Sequence, residues 1–580
     1  MKGLGIKDSI IYMKKAYKYM EDNKKLFIIY VILSILIGII GAIIPLISAQ
    51  VVIHMQSEMW KQLVVIALFF VSMKMLSSFV GYLSSKVSRV FYRETYLNLQ
   101  VEVARSIIDL ETVEIDKNSS GIFIDRLSQD TSNIAEVFRT IFKKLNIIIT
   151  NVGILFAVFA INKIIFVYFL VVLFVMFNFE RMYLVRHFER QKYFKKVKEV
   201  NTGLVSELVR GIRDIKVLNC YPDFENKIYQ KLKKANNIQY QMSEMTKRYE
   251  LLREFLKNLF NYVFILIGIY LISKGKLVAS SFVILFMYSD KIFDFLVTVI
   301  DLLEVLKDFN LSAERVFEIV DGKYKKEEFG DKKIKNLDGN FKFENVNFGY
   351  REDIMVIKDM NLEIPAFKTT AIVGESGAGK SSVFNMITKL YRISSGRITI
   401  DGIDMNELTE DSLRGNISLI TQNPYIFNFS VKENFQIVKK NVTMKEIEEV
   451  CRKACIHDYI MSLPEKYDTQ LGEGGVTLSG GQRQRIAIAR ALLTDTKIIL
   501  FDEATSALDN ETQQNISDAI SNLQGDYTII IVAHRLSTIK ESDQIVVMKK
   551  GRIVGVDTHK NLLKNNEYYK KLYASDMENG

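Results

Sequence analysis

GESGAGKSS, from Gly374 to Ser382, follows the apolar stretch Thr370–Val373 and precedes a helical segment, so it fits the pattern G-x-x-x-x-G-K-S/T. Its glycines, Gly374, Gly377 and Gly379, let backbone N–H groups wrap a triphosphate at a helix N-terminus, with Glu375, Ser376 and Ala378 completing the loop. Lys380 is placed to reach the terminal phosphates and Ser381 to offer its hydroxyl to Mg²⁺. The pattern predicts strand, loop and helix in that order, hence an α/β domain. Alone, the motif also occurs in unrelated chains.

Two later strings supply what one motif cannot. In TKIILFDEATSALD, Thr496 to Asp509, an apolar strand ends in adjacent carboxylates. Asp502 suits a metal-holding role at the strand end, and Glu503 can polarise an attacking water. These acids could instead merely cap a strand, but their order and distance after a phosphate loop favour the chemical reading. LSGGQRQR, Leu478 to Arg485, is the most specific string in the chain. Ser479, Gly480, Gly481 and Gln482 offer a hydroxyl and close backbone approach at a second helix start. One triphosphate does not need two such surfaces within one domain, so the second is expected to serve a nucleotide held by another copy.

Working outward, the pattern changes near residue 320. Short alternating strands begin with FKFENVNFGY, Phe341–Tyr350, behind a charged, turn-rich linker at 321–340. Residues 341–575 read as the α/β domain. Before that, Leu26 to Gln50 carries no charged side chain, which at 1.5 Å per residue exceeds a hydrocarbon core of roughly 30 Å. The run is too long for a secretory signal core and no small-residue cleavage pattern follows, so it is not read as a removable leader. Further spans are expected at 62–84, 145–161, 164–179, 259–272 and 277–306, making an all-α six-helix bundle over residues 1–320. Only Asn162 and Lys163 separate the third and fourth. Residues 7–23 alternate basic and apolar character at helical spacing and suit a helix lying at the membrane interface.

Charge sets the expected orientation. Seven lysines lie in residues 2–25, and Arg181, Arg186, Arg190, Lys192, Lys195, Lys196 and Lys198 follow the fourth span, whereas Val51–Met59 has no Lys or Arg. The other outer turns carry only Lys163, Lys274 and Lys276. Both termini and the α/β domain are then cytosolic, in a multi-pass protein of the cell membrane. The excursions 85–144 and 180–258 are rich in helix formers and read as long helical levers with tips near Gly121 and Gly211. Asp290, Asp294, Asp301 and Glu304 fall on one sector of the last span. They form either a cavity stripe for cationic or zwitterionic cargo or a set of ion-pair partners for neighbouring helices. Lys74 in the second span reads as an ion-pair partner.

The net charge of +10 is concentrated beside apolar runs, which favours a lipid bilayer over nucleic acid as the partner. Three cysteines, Cys220, Cys451 and Cys455, are too few for a disulfide framework. Cys451 and Cys455 lie one helical turn apart, but no second pair completes a zinc set, so a half-buried helix face is the preferred reading.

Taken together, the chain resembles an ABC transporter of the exporter type, the membrane-plus-ATPase half-transporter that includes multidrug, lipid and peptide exporters. The resemblance covers nearly the whole chain. It implies ATP as nucleotide, Tyr350 stacking on adenine, and Gln422 in TQNPYIF linking Mg²⁺ and the water to the membrane helices. It also implies that Ser506–Asp509 cross a dimer interface, that His534 in IIIVAHRLS contacts the γ-phosphate, and that Glu473 touches the lever tips. Metal contacts then fall to Ser381, Gln422 and Asp502, and catalysis to Glu503, His534 and Gln422. Two positions depart from the family pattern: Ser382 stands for the commoner threonine, where either hydroxyl can bond phosphate, and Phe367 stands where relatives commonly have a turn glycine. Because all these residues occur on one chain, two identical copies would make two complete sites, which favours a homodimer over a heterodimer with a divergent half. The expected function is ATP-driven export of an amphipathic peptide, lipid or drug. Uptake on the same helical plan is the alternative, and six apolar spans argue against a soluble ATPase acting on DNA or ribosomes. With no peptidase-like Cys and His segment before the first span, leader trimming is not expected.

Overall fold

The computed structural model describes residues 6–56, 59–118, 120–351, 353–472, 475–494, 496–502, 525–533 and 539–579. Glu473, Glu503, Ser506–Asp509 and His534 lie outside the described residues. The chain divides into two compact units, Met1–Asp109 with Asn118–Tyr324, and Leu110–Lys117 with Lys325–Gly580.

The first unit is helical, with α1 (Ile6–Lys18), α2 (Lys24–Gln56) and α3 (Trp60–Ile108) before the excursion to the second unit. Within that excursion lies the short α4 (Thr112–Lys117). The first unit then resumes with α5 (Ser120–Asp125), α6 (Thr131–Ile161), α7 (Lys163–Arg210), α8 (Ile212–Val217), α9 (Tyr221–Ser273) and α10 (Ala279–Val320). Among the described residues, five stretches are long and apolar enough to cross a membrane: Lys24–Val51, Trp60–Ile108, Gly121–Ile161, Lys163–Gln191 and Tyr221–Ser273. The sixth expected span, 277–306, falls in α10, where Asp290, Lys291 and Asp294 interrupt the apolar run, so α10 does not meet the same composition.

Apolar helices gain little from burial against one another when lipid is the alternative, so close backbone approach and polar contacts must fix their packing. At Gly41 of α2 a Cβ would stand 2.4 Å from Thr150 Oγ1 of α6. Tyr288 of α10 donates its hydroxyl to the carbonyl of Pro45, inside α2. Around these contacts Ile154, Val158, Phe169, Phe264 and Leu285 form a shared buried cluster.

Two boundaries differ from expectation. The N-terminal helix ends at Lys18 rather than 23, and a separate 3₁₀ turn covers Glu21–Asn23. The first lever turns before Gly121, which already belongs to α5; the second turns at Gly211, between α7 and α8.

In the second unit, strands β1 (Phe341–Phe348), β2 (Ile357–Ile364), β4 (Ser395–Ile400) and β5 (Ile403–Asp404) form an antiparallel sheet in the order β2-β1-β4-β5. Phe341 and Phe343 turn inward by period-two alternation, and after a register shift at the middle of the strand Val346 and Phe348 turn inward again, as suits a sheet covered on one face. The second sheet contains β3 (Thr369–Gly374), β6 (Ile417–Ile420), β7 (Ile498–Asp502), β8 (Thr528–Val532), β9 (Gln544–Lys549) and β10 (Arg552–Asp557). Its order is β10-β9-β3-β8-β7-β6, with β9, β3, β8, β7 and β6 parallel. TTAIVG, IILFD and TIIIV are apolar almost throughout because both faces are covered.

Helices α11 (Lys380–Ile387) and α12 (Glu410–Arg414) flank the sheets. A helical layer follows, built from α13 (Val431–Gln436), α14 (Met444–Lys453), α15 (His457–Met461) and α16 (Gly480–Leu493). Its core includes Phe435, Ile447, Cys451, Ile460 and Ile486. Burial pushes the Cys451 thiol up to about 12, which makes it an inert core side chain, while Cys455 is exposed. The linker is less independent than its composition suggests, since Leu337 is buried in the core and Arg414 grips Glu327 with two parallel bonds of 2.6 and 2.8 Å.

Candidate nucleotide-binding site

Four parallel strands deliver the site residues to one edge. Ile372 of β3 pairs with Val532 of β8, Val532 with Asp502 of β7, and Phe501 with Ile420 of β6. The ends of the strands are therefore level, and the loops leaving them meet outside their carboxyl termini, where open α/β sheets take ligands.

The loop after β3 enters α11 through Gly379, whose φ of +98° belongs to the left-handed region that side chains disfavour. A Cβ there would also lie 2.6 Å from Ile357 Cδ1. The N-cap of α11 is Gly379, which has no side chain with which to cap the helix start. Lys380, 5% exposed, donates to the carbonyls of Gly374 (2.9 Å) and Glu375 (3.1 Å). The ammonium thus already sits inside the loop that phosphates would enter. Ser381 Oγ donates to Asp502 Oδ1 at 3.0 Å, joining the motif after β3 to the one ending β7 across 121 positions of sequence. A hydroxyl and a carboxylate oxygen held together are hard donors of the kind Mg²⁺ takes, so the residues fit that ion.

Tyr350 stands beside the same helix start. Its hydroxyl bonds Ser382 Oγ at 3.0 Å and accepts from Asn385 Nδ2 at 2.8 Å. Phe348 and Tyr391 meet its ring edge to face at 4.9 and 5.0 Å. Gln422 follows β6 and is exposed, and its carbonyl accepts from Gln484 Nε2 of α16 at 3.2 Å.

The second helix start is built differently. Ser479 caps α16, accepting from Gln482 N–H at 3.3 Å while its own N–H donates to Gln482 Oε1 at 2.8 Å, a reciprocal capping box. Ser479 and Gln482 bond each other and not the phosphate loop. The structure therefore brings together Tyr350, Lys380, Ser381, Ser382 and Asp502, and leaves Ser479–Gln482 as a separate turn with Ser479 exposed and the rest half-buried.

Three residues not singled out from the sequence prove important to this arrangement. Asn385 fixes Tyr350, Gln484 ties α16 to Gln422, and Arg490 ties α16 to the same loop by donating to the carbonyls of Tyr425 (2.9 Å) and Asn434 (3.0 Å). Burial lowers Arg490 to about 10, which still leaves it charged at neutral pH. The hint in the sequence was slight: Gln484 belongs to the LSGGQRQR string and Arg490 follows on the same helix.

In the helical unit, Met176, Arg253, Lys257, Phe293 and Asp294 are among the residues lining a polar cavity of about 470 Å³. Of the acidic sector on α10, Asp290 pairs with Lys257 at 2.8 Å and Asp301 with Lys144 at 2.6 Å. Lys74, expected in an ion pair, lies over the Phe70 ring at 4.8 Å.

A helical membrane region followed by a phosphate-loop α/β unit defines a half-transporter with a nucleotide-binding domain. Family models agree: residues 27–294 match the ABC transporter transmembrane region and residues 357–506 match the ABC transporter domain. The chain belongs to the ABC transporter family, and its nucleotide-binding domain binds ATP. It is 44% identical over 264 residues to the ATP-dependent lipid A-core flippase of Escherichia coli K12, a match covering 45% of each protein. It is 43% identical over 266 residues to ABC transporter B family member 2 of Dictyostelium discoideum, covering 45% of this chain and 19% of that one. These matches span less than half the length of either relative. A solved bacterial Atm1-family ABC exporter with ATP bound superposes with a TM-score of 0.85 at 23% identity, covering 95% of this chain and 98% of that one, so the fold is the exporter fold.

Proposed function

We propose that this chain is one half of an ATP-driven exporter that moves an amphipathic substrate across the membrane by alternating access. The observation carrying the proposal is the 3.0 Å bond between Ser381 and Asp502, at the start of a helix without a side-chain cap, on a chain whose described residues also include five membrane-length apolar stretches. The exporter fold supports export over uptake.

Tyr350 would stack on the adenine, and residues 374–382 would wrap the phosphates with Lys380 turning from the loop carbonyls toward them. A magnesium ion held by Ser381, Asp502 and Gln422 would neutralise charge on the outer phosphates. Glu503 would orient and polarise the attacking water, and His534 would contact the terminal phosphate. Ser479, Gly480, Gly481 and Gln482 of a second copy would close the other side of the nucleotide. Closure then pulls the two copies together, and hydrolysis releases them. A homodimer is the preferred assembly, because the chain carries both surfaces, and a heterodimer is the alternative.

In the membrane, lysines occupy Asp290 and Asp301, two of the four acids of the sector; of the other two, Asp294 lines the polar cavity and Glu304 is not among its lining residues, so Asp294 is the one we assign to cationic cargo. The termini and the nucleotide-binding unit would face the cytosol of a cell whose plasma membrane holds the helices. In reconstituted vesicles Glu503→Gln should bind ATP and abolish both hydrolysis and transport. Unchanged hydrolysis would remove Glu503 from its role.

A further inference from the structure

We propose that the nucleotide-binding unit carries a second ligand site, outside the phosphate loop, for a small amphipathic carboxylate, with Lys389 meeting the acid and a buried apolar floor meeting the body.

The site is a cavity of about 470 Å³ formed wholly by residues of the second unit. Drug-sized ligands fill pockets of roughly 300–1,000 Å³, so the space suits a small molecule. Met386 of α11, Ile398 of β4 and Met405, just after β5, make its floor, and all three are buried. Ile393, half-buried, stands in the wall. Unbranched methionine side chains adapt to the outline of whatever lies on them, which favours a ligand body recognised by its apolarity more than by its shape.

Charge decides what else the ligand needs. Of the lining residues, Glu328, Lys389 and Arg392 are charged. Glu328 and Arg392 are engaged with each other at 3.0 Å, and Arg392 also pairs with Glu111 at 2.7 Å. The carboxylates that attract Lys389 from farther off are Asp404 and Glu327. Arg397 already holds the first at 2.9 Å, and Arg414 grips the second. Lys389 is left, half-buried, with no hydrogen bond or ion pair for its ammonium among the described residues. Its Nζ lies 4.8 Å from the centroid of Phe329, a ring that Arg414 also approaches, at 5.0 Å. A ring face attracts a cation but does not satisfy its three N–H donors. Burial, and after it the nearby Arg392, holds the Lys389 ammonium below its ordinary pKa, as expected of a charge short of both water and counter-ions. A lysine just past the carboxyl end of α11 also complements that helix's dipole. That role is met in open water and calls for no apolar floor beside the ammonium.

A carboxylate entering the cavity would supply what Lys389 lacks, through charge-assisted hydrogen bonds in a place partly shielded from solvent. A bare anion would gain that contact and leave the floor wet. A neutral apolar molecule would cover the floor and leave the ammonium unpaired. A molecule with both parts satisfies both halves of the cavity.

The test uses the full chain in lipid nanodiscs, with phenylbutyrate as probe, phenylbutanol as its neutral counterpart and inorganic phosphate as the bare anion. Binding is read by saturation-transfer NMR against empty nanodiscs. Phenylbutyrate should bind with a Kd of about 0.5 mM, and the alcohol at least about ten-fold more weakly. Lys389→Met keeps the length and apolar stem of the side chain. It should weaken the acid about ten-fold and leave the alcohol within about two-fold, which also shows the cavity intact. Ile393→Trp, which fills the cavity, should abolish binding of both. Phosphate at about ten times the concentration of the acid should leave the acid bound. Absence of acid binding to the wild type, equal binding of acid and alcohol, or displacement of the acid by phosphate would each overturn the site. So would retention of the acid by either variant, or loss of the alcohol in Lys389→Met.

Discussion

The two glycine-rich turns of the nucleotide-binding unit both start helices, yet they present opposite states to a phosphate. At α11 the helix start, entered through Gly379, has no side-chain cap, and Lys380 is folded onto the loop carbonyls. At α16 the helix start is closed by its own Ser479–Gln482 box. The first turn is shaped to receive an anion at once. The second must give up part of its own capping to do so, which suits a surface that engages only when a partner copy brings the nucleotide to it.

Lys380→Ala is the largest way to break this contrast. Removing the cation from the open turn should lower ATP hydrolysis by about a thousand-fold and weaken ATP binding at least roughly ten-fold. Hydrolysis near wild type would mean the open turn is not where the phosphates lie. A thermal melt alongside the assay checks that the loop, deprived of its two internal bonds, still folds.

The closed turn can be split into its structural and chemical roles. Aspartate caps a helix about as well as serine but repels phosphate. Ser479→Asp should therefore keep the melting temperature while lowering hydrolysis by about a hundred-fold. Ser479→Ala should instead cost about 1 kcal/mol of stability from the lost cap. If the aspartate variant hydrolyses ATP normally, the second turn does not meet the nucleotide.

Gly379 tests why the open turn is open. With φ at +98° and Ile357 Cδ1 2.6 Å from a would-be Cβ, Gly379→Ala must bend the entry to α11 or displace Ile357. The expected cost is about 1–3 kcal/mol, read as roughly ten-fold weaker ATP binding in a titration. Unchanged affinity would show that the backbone at 379 does not set the phosphate cradle.

Much of this site was legible in the sequence because its chemistry is carried by contiguous runs. Residues 374–382 and the carboxylate at Asp502 announce themselves by spacing, and alternation in Phe341–Phe348 exposes the start of the domain. What stayed hidden are pairings between distant positions, for which a single sequence has no code. Tyr391 and Asp116 lie 275 residues apart, and Arg490 reaches a loop 65 residues earlier. On α10 the acids were visible, but Lys257 and Lys144, which neutralise two of them, come from α9 and α6. The first lever tip was expected near Gly121, and the chain breaks between α4 and α5 just before it, with Gly121 itself inside α5.

Phe367 offers the finest adjustment of the same theme. It takes φ of +57°, the backbone region that Gly379 reaches at no steric cost, in the turn between β2 and β3. The sequence had marked this place, where a glycine would be usual. A bulky side chain there costs on the order of 1–2 kcal/mol, since its Cβ crowds the following carbonyl. Two contacts offset part of it: Phe367 N–H donates to Thr528 Oγ1 at 2.7 Å, and the Lys497 ammonium lies 5.2 Å from the ring centroid. The backbone bond survives replacement by glycine and the ring contact does not, while glycine adds entropy to the unfolded chain. The balance should leave Phe367→Gly more stable by roughly 0.5 kcal/mol, a rise of about 1–2 °C in melting temperature with ATP affinity unchanged. A lower melting temperature would mean that the ring's packing outweighs the strain beneath it.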